Sequence, residues 1–146
     1  MSYQNILVPV DDSPISYAAV EHARSLAKLS GAKVTVLSVV AVDPFVGVDF
    51  YQVAPAITDH FMQAEAHAKN QLQEIAQSFA ENGVDVTTKI HHGIATDGIL
   101  FVADEIGADL IVMGSRGRTG VKRLLLGSVA RTVLTESHIP VLIIKQ

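Results

Sequence analysis

The chain of 146 residues has a formal net charge of −4 at pH 7, from 11 Lys and Arg against 15 Asp and Glu, and 49% of it is apolar. That length predicts one domain, 1–146, with a buried core, and a charged fraction of only 18% excludes a disordered chain. The lack of cysteine excludes disulfide and thiolate chemistry, and the acidic balance argues against a nucleic-acid partner.

The opening Met1-Ser2-Tyr3-Gln4-Asn5 has neither the basic start nor the apolar stretch of a secretory signal. Next, Ile6 to Val10 predicts a buried strand, followed by Asp11 and Asp12. Ser13-Pro14 predicts a helix N-cap with proline in the first turn. The stripe Ile15, Ala18, Ala19, Ala23, Leu26, Leu29 follows, with Gly31 as C-cap. Val34 to Val40 predicts a second strand; the apolar run reaching Val42 is too short to cross a bilayer, so no membrane partner is expected. Asp43 to Ile57 is a long, unusually apolar connection, read either as packing over the sheet edge or as a lid or subunit contact. Thr58 is expected to cap a second helix carrying Phe61, Ala64, Ala68, Leu72, Ile75 and Phe79, ending at Gly83.

Val84 to Ile90 alternates, which predicts an edge strand, with His91-His92-Gly93 as the loop after it. A third helix carries Ile99, Val102, Ala103 and Ile106 and ends at Gly107. Leu110 to Met113 predicts a fourth strand. The segment from Gly114 to Ser128 is rich in glycine and runs into a fourth helix carrying Val129, Val133 and Leu134. Val141 to Ile144, beyond Pro140, is the fifth strand. Short apolar strands alternating with helices predict an α/β fold: a doubly wound, open, five-stranded parallel sheet with helices on both faces. Ligands of such sheets bind beyond the carboxyl ends of the strands, where the strand order reverses.

The chemistry concentrates after the fourth strand. Gly114 and Gly117 let the backbone approach a ligand, and Gly127-Ser128 opens a helix whose unpaired N–H groups suit an anion. From Leu110 to Thr135 there is no acidic residue, whereas Arg116, Arg118, Lys122, Arg123 and Arg131 all fall there. Arg116 and Arg118 would either touch phosphate or raise its local concentration. Asp11 would face the same cleft if the first and fourth strands are neighbours. There it could accept a hydrogen bond from a ribose hydroxyl or a base, Ser13 being better placed to cap the helix.

Other α/β chemistries fail on their residues. The turn after the first strand lacks the glycines of a dinucleotide fingerprint, and no Walker loop or hydrolase elbow occurs. A phosphoacceptor receiver built on Asp11 and Asp12 would need an Asp after the third strand, where His91-His92-Gly93 stands. Those adjacent histidines point to opposite sides of an extended chain and do not converge on a metal. No metal-binding or catalytic residue is assigned.

The pattern Gly114-x2-Gly117-x9-Gly127-Ser128 resembles the ATP-binding signature of the universal stress protein family. Ile6 to Ser13, Asp109 to Gly114 and Ser137 to Ile144 are similar to that family's first, fourth and last strands. The resemblance implies strand order 3-2-1-4-5 and a cytoplasmic homodimer paired through Val141–Ile144. It implies ATP as ligand, with Mg²⁺ or Mn²⁺. Gly114, Gly117, Gly127 and Ser128 would hold the phosphates, with Val129 in the same turn. Pro9 and Asp11 would form the nucleoside wall, with Asp11 near the ribose, and Val39 would meet the base; Val10 and Met113 are also expected among the nucleotide-binding residues. The implied function is a nucleotide-dependent regulatory module of the stress response. The alternative is a slow ATPase or self-phosphorylating enzyme; the loop disfavours only fast hydrolysis, because it carries no Asp, Glu or Gln to position water or metal.

Overall fold

The computed structural model describes residues 2–41, 55–116 and 126–145, the side chains at 55–58 and 60 aside. In chain order the elements are β1 (Asn5–Val10), α1 (Pro14–Ser30), β2 (Lys33–Ala41), α2 (Pro55–Glu81), β3 (Val86–Gly93), α3 (Ala95–Ile106), β4 (Leu110–Gly114), α4 (Ser128–Glu136) and β5 (Val141–Ile144). The strands form one parallel sheet in the order β3-β2-β1-β4-β5. This is the expected order, and it makes β1 and β4 neighbours where the order reverses.

Alternation of side chains along the strands builds a core on each face. Ile6, Val8, Val10, Val34 and Val36 pack under α1 and α2, against Ala19, Ala23, Leu72, Ile75 and Phe79. Leu7, Leu37, Ile111 and Met113 pack under α3 and α4, against Ile99, Val102, Ala130 and Val133. β1 is buried on both faces, which is why its sequence is apolar without alternation.

Several local expectations are corrected. α2 starts at Pro55 rather than at a Thr58 cap. β3 starts at Val86, because the buried Val84 closes the end of α2, its N–H donating to the Phe79 carbonyl at 3.0 Å. β3 then runs on through His91, His92 and Gly93, in register with Val39, Val40 and Ala41 of β2, so the two histidines belong to a strand and not a loop. Leu29 and Leu134 lie on solvent-facing sides of their helices, 84% and 47% exposed. Ala64 is exposed, while Ala68, Leu72, Ile75 and Phe79 keep the buried stripe of α2.

Candidate functional site

The carboxyl ends of β1 and β4 lie side by side, and each expected site residue can be placed against them. Pro9 and Val10 end β1 and are buried. The Val10 side chain belongs to the core under α1 and α2, whereas Val39, Met113 and Val129 belong to the core under α3 and α4. Only the second group therefore shares a face of the sheet. Gly114 ends β4. A Cβ there would stand 2.8 Å from Ile15 Cγ2 on α1, closer than carbon atoms approach, so the absent methyl lets α1 pack on the end of β4. Its backbone is not in the left-handed region, so close packing rather than torsional freedom is what this position requires.

Beyond β4 the chain is fixed at two points. The Ser115 N–H donates to the Ile144 carbonyl at 2.8 Å, and the Gly127 N–H donates to the Ser115 carbonyl at 2.6 Å. The start of α4 is thereby held at the end of β4. Gly127 is the N-cap, with no side chain capping the helix, and the first helical bond runs from the Arg131 N–H to the Gly127 carbonyl at 3.0 Å. Ser128 is exposed and Val129 half-buried. An uncapped helix N-terminus at a strand end is suited to anionic oxygens. Arg116 is half-buried; Gly117 and Arg118 lie outside the described residues.

Asp11 corrects the sequence expectation most. Its Oδ1 accepts the Ser13 N–H at 2.8 Å, the Ser16 hydroxyl at 2.8 Å and the Ser13 hydroxyl. Its own N–H donates to Ser16 Oγ at 2.9 Å. Ser13 holds the N-cap position, but its hydroxyl turns to Asp11 and makes no capping bond to the helix. The carboxylate thus ties up the Ser13 hydroxyl expected to cap the helix, and Oδ2 has no partner among the described residues.

Sequence reasoning missed three residues here. Ser16 and Ser115 are buried polar groups brought in by the fold. Gln71, 7% exposed, donates from Nε2 to the Asp11 main-chain carbonyl at 2.6 Å across 60 residues of chain. A signal for it existed: Gln71 falls within the apolar stripe between Ala68, Leu72 and Ile75, where a polar residue needs a partner.

The histidines lie on opposite sides of β3, as expected. His92 faces α2, with Nε2 3.2 Å from Glu65 Oε1 and its ring 5.5 Å from that of Phe61. His91 faces α3, its ring 5.6 Å from Phe101. Among the described residues no three His, Asp or Glu side chains gather to hold a metal ion, and no helix is long and apolar enough to cross a membrane.

Comparison with known proteins adds three findings. The model of the universal stress protein family matches residues 2–145. The solved structure of MJ0577 from Methanocaldococcus jannaschii superposes with a TM-score of 0.86 at 30% identity, covering 100% of this chain and 98% of that one. Two solved structures hold nucleotides. One is a universal stress protein in complex with cAMP, at 29% identity and a TM-score of 0.68, covering 99% of this chain and 98% of its own. The other is the universal stress protein of Archaeoglobus fulgidus in complex with dAMP, at 25% identity and a TM-score of 0.72, covering 99% and 100%.

Proposed function

The chain belongs to the universal stress protein family, and on that premise we propose that it is a single-domain, ATP-binding regulatory module of the cytoplasmic stress response, acting as a homodimer. The observation that carries this reading is the return of the glycine-rich segment to its own strand end. The Ser115–Gly127 bond sets the uncapped start of α4 beside Gly114, one strand away from Asp11. Anionic oxygens fit the N–H groups of that helix end, with Gly127 and Ser128 leading it and Arg116 following Ser115, which bonds to Gly127; the Arg118 charge would add to the same positive field. A carboxylate fits hydroxyl donors and not phosphate, so Asp11 suits the ribose side. Val39, half-buried at the end of β2, offers apolar surface for a base, with the buried Pro9 and Met113 near the ends of β1 and β4. The adenine nucleotides held by the two relatives support the same ligand class. A Mg²⁺ or Mn²⁺ ion would arrive with the triphosphate and neutralise its charge.

The test is direct. Heat-denatured protein should release an adenine nucleotide into the supernatant, and nucleotide-free protein should bind ATP in a calorimetric titration. No nucleotide and no binding heat would refute the reading. Phosphate release at about 1 per second or faster would instead favour the enzyme.

A further inference from the structure

The Asp11 turn is held from two helices. From α1, Ser13 and Ser16 occupy Asp11 Oδ1, and Ser16 Oγ also takes the Asp11 N–H. From α2, Gln71 donates to the Asp11 carbonyl at 2.6 Å. The ladder between β1 and β2 ends at Val10 paired with Ser38, so the sheet supplies no partner for that carbonyl. Gln71 does, and it is buried while doing so. The N–H, the carbonyl and Oδ1 of Asp11 are each committed to the fold; among the described residues, Oδ2 is the remaining acceptor.

We propose that Gln71 is a positioning residue for the nucleotide: it braces the Asp11 turn from α2, so that Asp11 meets the ribose hydroxyls with a fixed Oδ2. The inference rests on the ATP-binding reading above. The chemistry is specific. A carboxylate oxygen with no proton accepts only from donors, so it selects a sugar with hydroxyls and repels phosphate oxygens. Selection of this kind is sharp only if the acceptor cannot swing, and the brace is what prevents the turn from swinging. Losing Gln71 therefore weakens recognition of the sugar while leaving the phosphate end of the cleft, built on β4 and α4, as it was.

The experiment titrates nucleotide-free wild type, Gln71→Met and the isosteric Gln71→Glu with three probes: ATP, 2′,3′-dideoxy-ATP and tripolyphosphate. Wild type should prefer ATP to the dideoxy compound. Both variants should bind ATP about tenfold more weakly, the loss of one well-placed hydrogen bond, while the dideoxy compound and tripolyphosphate change less than about twofold. Amide exchange at Ser13 should quicken in the free variants, since its N–H is held by the braced carboxylate. The inference is overturned, and ATP binding stands, if wild type does not distinguish the two nucleotides. The same holds if the variants keep wild-type discrimination, or if all three probes weaken equally. Wild type that binds no ATP overturns both.

Discussion

At the residue scale, the positions that matter most are those where something small or polar is forced by a neighbour. Gly114 is the clearest. A methyl there meets Ile15 Cγ2 at 2.8 Å and Cγ1 at 3.2 Å, and both belong to a β-branched side chain that cannot rotate away cheaply. Gly114→Ala should destabilise the protein by about 1–3 kcal/mol, the range for overpacking, as read by denaturant unfolding. Combined with Ile15→Ala, the cost should fall short of the sum of the two single changes, because the second removes the clash. Additive costs would show that the contact is not what fixes glycine there. The sequence shows Gly114 as part of a signature but is silent on Ile15, which reaches it only through the packing of α1 on β4. Asp11 was legible as the residue that follows β1, beside the end of β4. The three hydrogen bonds it accepts from Ser13 and Ser16 were not, because the spacing Asp11-x-Ser13-x2-Ser16 reads equally well as an ordinary capping sequence.

At the element scale, β3 and α3 are tied by packing more than by charge. Lys89 and Glu105 form an ion pair between them, but both side chains are about a third or more exposed, at 36% and 44%. Such pairs contribute little. Gly98, by contrast, lets the His91 ring lie against the first turns of α3: a Cβ would stand 2.7 Å from His91 Cδ2 and 3.2 Å from Val39 Cγ2. Lys89→Ala should change stability by less than about 1 kcal/mol, and Gly98→Ala should cost about 1–3 kcal/mol; thermal unfolding of the two variants side by side checks the ranking. The elements themselves were mostly legible, since apolar runs of strand length and helical stripes survive in any context. Their ends were not. Val84 continues the apolar alternation of β3 in sequence, yet it is spent closing α2. The histidines look like loop residues by composition, yet an edge strand accepts polar side chains when each finds a helix to lean on.

At the scale of the whole molecule, the strand order follows from the sequence as alternation of strands and helices plus the right-handed crossover, and the family resemblance fixed which of the allowed orders applies. Among the described residues the sheet ends in two edge strands, β3 and β5. β3 carries Thr87, Thr88 and Lys89, polar enough to discourage pairing; β5 is Val141-Leu142-Ile143-Ile144, with Leu142 37% exposed. Pairing of two copies along β5 would cover that apolar edge. Leu142→Lys should therefore shift the mass measured by light scattering from dimer to monomer without unfolding the chain. A wild-type monomer, or a variant that stays dimeric, would remove β5 as the contact.

The bond between the Ser115 carbonyl and the Gly127 amide has a consequence for how such proteins diversify. It closes residues 116–126 into a span whose two ends are pinned regardless of what lies between them. Lengthening a span with fixed ends costs only a logarithm of its length in chain entropy. Insertions, deletions and wholesale replacement between those two ends should thus cost the fold little. A laboratory graft that exchanges residues 117–125 between relatives should therefore leave the thermal midpoint nearly where it was, with the sheet indifferent to the trade.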